Sequence, residues 1–297
     1  MMVDLGASLG MFFGCSMRTA MDVYSKLSQL LNFNAVEIRF EKEQHRPSLC
    51  HSEVDLDVKQ FLSQYTKKGV HLPFINLNLI ANSPEVRLRS IDYLKGSVRA
   101  ASELGFDYAV MHARGKNSDL DPQRVMEEWE HVILELTNFA ADHSIQLTIE
   151  NADALLNLEV LTNIVASIDS KNLKITLDIG HAYSRILSAD THMRMMSYLL
   201  KATDVTCPRF IGTRYMPFET YGSIQNYILK EKQYIYNIHL HDNDGLRDHK
   251  NIGCGKINFE FLSQIKSIVK GPIIFETDST NPNDLIESYK RAMEIMA

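Results

Sequence analysis

The sequence predicts an α/β chain folded as a closed barrel of eight parallel strands, each followed by a helix, and three observations carry that prediction. Short apolar runs rich in β-branched residues alternate with longer stretches of helical period, the pattern of repeated β-α units around a parallel sheet. Eight such runs recur at roughly even spacing through 297 residues, without a Pro- or Gly-rich linker, charge block or low-complexity tract between them. Polar side chains collect near the ends of the later runs on one face, where a barrel keeps its chemistry.

In chain order the candidate strands are "VDLGASLG", "AVEIRF", "GVHLPF", "YAVMHA", "IQLTIEN", "KITLDIG", "IYNIHLHD" and "PIIFETD". After the third comes "SPEVRLRSIDYLKGSVRAASELG", with Ser83 placed as an N-cap, Pro84 in the first turn, Glu85 behind it and a Gly near the exit. After the fourth, "DPQRVMEEWEHVILELTNFAADH" repeats the design with Asp121 and Pro122. Between the sixth and seventh strands the span 182–233 is too long for a simple crossover and predicts an insertion or long loop before its final helix. The whole of 1–297 reads as one domain.

With 45% hydrophobic residues the chain can bury a large core. Lys plus Arg total 31 against 37 Asp plus Glu, a formal charge of -6, which weighs against a nucleic-acid partner held through phosphates. Cys15, Cys50, Cys207 and Cys254 lie far apart with no CxxC, as expected of reduced thiols in a cytoplasm. The N-terminal "MMVDLGASLGMFFGCS" carries Asp4 and no basic residue before its apolar run, so a signal peptide is not expected, and no run reaches membrane-spanning length. The expected setting is cytoplasmic, with a homo-oligomer left open.

Side chains at i and i+2 share a strand face. That groups Gln146, Thr148 and Glu150; Lys174, Thr176 and Asp178; Asn237, His239 and His241; and Ile274 with Glu276. Strands of a parallel barrel are apolar on both faces, so polar groups gathered on one face near the strand ends imply a solvated or metal-occupied cavity. The segment "HLHDNDGLRDHKNIGCG" adds Asp248 and His249, and His71, His112 and His181 end or follow other strands. Any one of these alone reads as a solvated loop residue or a satisfied core group. Six successive strands each ending in a ligand-type residue, in a chain with only 11 His, point to a site for a divalent ion such as Zn, Mn, Mg or Co.

The segments "VHLPFINLNLIA", "LGFDYAVMHARG", "TIENAD", "LDIGHA", "IHLHDNDG" with "HKNIGCGKINF", and "IIFETD" resemble, in order and over nearly the whole chain, the xylose-isomerase-like TIM-barrel superfamily. That superfamily includes sugar and sugar-phosphate isomerases and epimerases together with endonuclease IV. For the former, the resemblance implies one divalent ion on Glu150, Asp178, a His of the seventh strand and Glu276. "HLHD" against the commoner "HL-x-D" favours His239, leaving His241 as a supporting or substrate-binding group. For endonuclease IV it implies three zinc ions, with further ligands at His71, His112, His181 and His249. One position departs from that pattern: Arg247 stands where a ligand carboxylate is expected, and a cation cannot replace it. Either Asp248 fills the place or the third metal is lost, and Arg247 is then free to bind a substrate oxygen or phosphate. Gly253 and Gly255 either let backbone N–H groups approach an anion or make a tight turn.

The expected activity is a metal-dependent isomerase or epimerase acting on a small-molecule sugar or sugar phosphate. Glu150 and Glu276 would move the carbon-bound proton, with His181 and Arg247 fixing substrate oxygens. The alternative is an endonuclease IV-like zinc phosphodiesterase acting at abasic DNA. A non-catalytic sugar- or metal-binding barrel would not need both Glu facing the cavity.

Overall fold

Alternation within the strands decides which side of the sheet meets the helices. Val36, Ile38, Val70, Ala109, Met111, Leu147, Ile149, Ile175, Leu177, Ile238, Leu240, Ile273 and Phe275 all join one buried apolar cluster with the helices. The intervening positions line the barrel's interior, and Glu37, Thr148, Thr176 and Asn237 among them are equally buried but polar. A computed structural model describes residues 4–9, 16–40, 53–115, 122–152, 158–183, 223–245, 247–265, 268–278 and 281–297. In it β1 (Leu5–Ser8), β2 (Ala35–Arg39), β3 (Lys67–His71), β4 (Tyr108–His112), β5 (Gln146–Glu150), β6 (Leu173–Asp178), β7 (Ile235–Leu240) and β8 (Ile273–Phe275) pair in sequence order. The barrel closes through parallel pairing of β8 with β1, Leu5 opposite Ile273.

Described helices are α1 (Met17–Leu31), α2 (Glu53–Leu62), α3 (Pro84–Leu104), α4 (Pro122–Asp142), α5 (Leu158–Ile168), α6 (Ile224–Glu231), the single turn α7 (Leu262–Ile265) and α8 (Pro282–Met296). Helix α3 begins as expected, with the Ser83 hydroxyl accepting from the Val86 N–H and Pro84 in the first turn. It ends at Gly105, whose φ of 86° closes the last turn in the left-handed region that favours glycine. In α4, Trp129, Val132, Ile133, Leu136 and Ala140 recur at helical spacing, and all are buried. Asp121, the expected cap of α4, and residues 184–222 of the expected long loop lie outside the described residues, while α6 supplies the helix that precedes β7. No described helix is long and apolar enough to cross a membrane.

Register fixes which polar residues become neighbours. Arg39 lies opposite His71, His112 opposite Glu150, and Asp178 opposite His239. Residues paired side by side in parallel strands point to the same face, so these six meet inside the barrel at the strands' C-terminal ends.

Candidate metal centre at the barrel mouth

Below the mouth the interior is a hydrogen-bonded layer. Thr176 Oγ1 lies 2.7 Å from both Thr148 Oγ1 and Asn237 Oδ1, and the Tyr108 hydroxyl donates to Glu37 Oε2 at 3.1 Å. One layer above sit the carboxylates and imidazoles.

His239 is fully buried, and its Nδ1 faces Glu276 Oε2 at 2.9 Å, Glu150 Oε2 at 3.3 Å and Asp178 Oδ2 at 3.9 Å. All four residues assigned to one ion by the resemblance therefore converge, and His239, not His241, stands between the two Glu. Glu150 is central. Its Oε2 meets His71 Nε2 at 3.3 Å and His112 Nε2 at 3.2 Å, and its Oε1 meets His181 Nδ1 at 3.0 Å. The imidazoles of His71 and His112 approach to 3.1 Å between their Nε2 atoms. Because the Leu72 carbonyl, 3.0 Å from His71 Nδ1, can only accept, the His71 proton sits on Nδ1 and the Nε2 lone pair faces the cluster.

A third group forms beside these. His241 Nε2 lies 2.9 Å from Asp178, and its Nδ1 is 3.2 Å from Asp248 Oδ1, whose other oxygen is 3.2 Å from His181 Nε2. His249 stacks on His241 with ring centres 4.1 Å apart and gives its Nδ1 proton to the Glu276 carbonyl, leaving Nε2 free to ligate. Its φ of 51° is left-handed, a conformation that costs a bulky side chain about 1–2 kcal/mol. Asp248, rather than Arg247, lies among these groups. Arg247 is exposed on the same loop, its backbone N–H held by Asp244 at 2.8 Å, and is not among the converging groups. Gly180 makes room for the third group, since a Cβ there would lie 1.9 Å from the His241 ring.

Among the described residues four donor sets result: His71, His112 and Glu150; Glu150, Asp178 and His181; Asp178, His239 and Glu276; and His181, His241, Asp248 and His249. Within each set the donor atoms lie within 4.8 Å of one another. The sets fit divalent cations on a further observation. The buried Nδ1 atoms of His239 and His181 make no hydrogen bond although carboxylates surround them, so these nitrogens aim between acceptors rather than at one. His/Asp/Glu without thiolate suits zinc or a harder divalent ion. Cys254 is exposed, 3.6 Å from Arg291, and takes no part.

Burial would raise the Glu150 carboxyl, but His112 and the other imidazoles hold it well below the usual carboxylate range. Glu276 is likewise raised by burial and pulled well below by His239 and Arg39. Burial disfavours the His239 cation, yet Glu37 and Glu276 push its pKa well above the ordinary imidazole value. His112 goes the other way, lowered by burial to about 4.

Several supporting groups were not among the residues expected from sequence. Glu37 Oε2 lies 3.2 Å from His239 Nε2, Arg39 grips Glu276 Oε1 at 2.6 Å, and Phe74 stacks on His112 at 4.2 Å. The available signal was "AVEIRF", an acid and a base on one face of an otherwise apolar strand. The Gly-x-Gly has its own anion: Asp242, fully buried, accepts from the N–H groups of Gly253, Gly255 and Ile257 at 2.9, 2.7 and 3.2 Å.

Known proteins share this arrangement of strands. A D-tagatose 3-epimerase-like protein is 26% identical, with a TM-score of 0.70 over 99% of this chain and 98% of that one. The TTHB071 protein of Thermus thermophilus, soaked with zinc chloride, is 21% identical with a TM-score of 0.63, each chain covered to 99%, a likeness of fold. In sequence, the uncharacterized protein MJ1311 of Methanocaldococcus jannaschii is 29% identical over 237 residues, 76% of this chain and 69% of that protein. The xylose isomerase-like TIM barrel family model matches residues 26–297, nearly the whole barrel, and the chain belongs to that family.

Proposed function

We propose that the protein is a divalent-metal-dependent isomerase or epimerase of a sugar or sugar phosphate. The observation that carries this reading is the pair of buried carboxylates, Glu150 and Glu276, facing the same His239 nitrogen at 3.3 and 2.9 Å. The likeness to a D-tagatose 3-epimerase-like protein supports the substrate class. Glu150, Asp178, His239 and Glu276 would hold the ion, which supplies polarisation of adjacent substrate oxygens and makes the neighbouring C–H more acidic. One Glu, as a carboxylate, takes that proton; it returns it to the adjacent carbon while a proton passes between the two substrate oxygens, or the second Glu, after gaining a proton from water, delivers that one to the opposite face. Both are held as carboxylates, the form that accepts a proton. His181, beside Glu150 and Asp178, orients a substrate oxygen.

A second reading is favoured by the sets His71–His112–Glu150 and His181–His241–Asp248–His249, which supply donors for two further ions as an endonuclease IV-like phosphodiesterase requires. Arg247 in place of a carboxylate and the net charge of -6 oppose it. Incubation of sugars and sugar phosphates with enzyme and divalent ion in deuterated water separates the two. Deuterium enters the product at the isomerised or epimerised carbon, and Glu150→Gln and Glu276→Gln each abolish the exchange. Cleavage of abasic-site DNA with no sugar exchanging, by protein carrying near three zinc per chain, replaces the first reading with the second.

A further inference from the structure

We infer that Glu37 is a positioning residue that fixes the ring orientation and tautomer of His239, with Tyr108 as its anchor. The inference rests on the metal-binding part of the proposed function and adds to it a residue outside the donor sets.

Glu37 is an inward residue of β2, with Val36 and Ile38 in the outer core, and it is fully buried. A buried carboxylate needs donors or a counter-charge. Its Oε2 has two partners, the Tyr108 hydroxyl at 3.1 Å and His239 Nε2 at 3.2 Å. A hydroxyl beside a carboxylate donates, so Tyr108 fixes where Oε2 sits. Gly69 on the neighbouring strand lets the Tyr108 ring lie there, since a Cβ at that position would come within 2.2 Å of the ring. The chain of contacts runs Gly69, Tyr108, Glu37, His239, and crosses the barrel from β3 to β7.

An imidazole that ligates through one nitrogen carries its proton on the other. A carboxylate accepting at Nε2 keeps the proton there and turns the Nδ1 lone pair to the mouth, where Glu276, Glu150 and Asp178 lie within 2.9 to 3.9 Å. His71 and His249 reach the same end by giving Nδ1 protons to backbone carbonyls. His239 differs from them in being oriented by a buried carboxylate, and removal of that charge frees the proton to move to the ligating side. Purely structural support from Glu37 would leave the tautomer unconstrained.

Zinc binding to metal-free protein tests this without any substrate. Glu37→Gln keeps the volume but presents an amide able to donate to Nε2, and is expected to weaken the tightest zinc site by about 10–100-fold. Tyr108→Phe is expected to give a smaller loss in the same direction, and Thr148→Val, a change in the same interior layer away from His239, no loss. Should Glu37→Gln not fold, imidazole ¹⁵N spectra of the zinc-loaded parent give the answer directly: a proton on Nε2 and metal on Nδ1 of His239 are expected. Metal on Nε2, or Glu37→Gln binding zinc within about twofold of the parent, overturns the inference. A parent that binds no divalent ion overturns the proposed function, whereas zinc bound equally by parent and Glu37→Gln overturns only the role of Glu37.

Discussion

At His239 one imidazole lies between carboxylates on both sides, Glu37 behind it and Glu276 before it, and its proton equilibrium follows from that position. Its folded pKa is raised above 6.5, so its cationic contribution to the metal-free protein is complete below that value and is lost as pH rises through the raised pKa. For Glu276 the folded value is depressed below 4.5, so its contribution is complete above 4.5 and is lost as pH falls through the lowered value. Metal-free protein is therefore expected to be most resistant to urea between those two values. Zinc competes with the His239, His181 and His241 protons, whose pKa values are all raised. Binding should accordingly tighten from about pH 5 to pH 8 and release protons, which calorimetry in two buffers of different ionisation heat would count. A pH-independent affinity would be inconsistent with imidazolium in the free site. The convergence of Glu150, Asp178, His239 and Glu276 was legible in the sequence because each stands near a strand end on a shared face. Glu37 was not, because its partner is 202 positions away and a lone acid in "AVEIRF" looks the same whether it meets solvent or an imidazole.

Among the elements, the loop between β7 and α7 shows how a short segment satisfies so many polar residues. Asp242 gathers N–H donors from Asn243, Gly253, Gly255 and Ile257, and pairs its backbone with Lys250 in both directions. The loop is thus folded around one buried carboxylate, and Asp248 and His249 are presented from its rim. From sequence the two glycines could serve a bound anion or a turn. They serve both ends at once, the anion being Asp242: a Cβ on Gly255 would lie 2.2 Å from Asp242 Oδ1, and Gly253 has a φ of 79°. Asp242→Asn replaces an acceptor with a group that also donates, stranding at least one buried N–H, and should destabilise the protein by about 1–3 kcal/mol in urea unfolding. A change below about 0.5 kcal/mol would mean that water satisfies those donors instead. Helix α3 was legible to its caps because Ser83, Pro84 and Gly105 each act locally. The register that sets His112 beside Glu150 was not, since strand alignment depends on the packing of neighbouring units.

At the scale of the whole molecule, the eight-unit periodicity made the barrel readable, whereas the interior polar layer and the carboxylate behind His239 exist only once the sheet is rolled up. Closure through Leu5 and Ile273 has a temporal consequence. Helices and adjacent strand pairs are local and form early, but the contact between Glu37 on β2 and His239 on β7 waits for the two halves of the circle to meet, and contacts of such sequence separation form slowly. The proposed ion-binding group is consequently a clock for the last stage of folding. In refolding from urea with a zinc indicator present, far-ultraviolet ellipticity is expected to return before zinc is captured. Simultaneous recovery of both signals would mean that part of the ring of ligands is already gathered in the unfolded chain, and that the ion itself guides the strands around the circle.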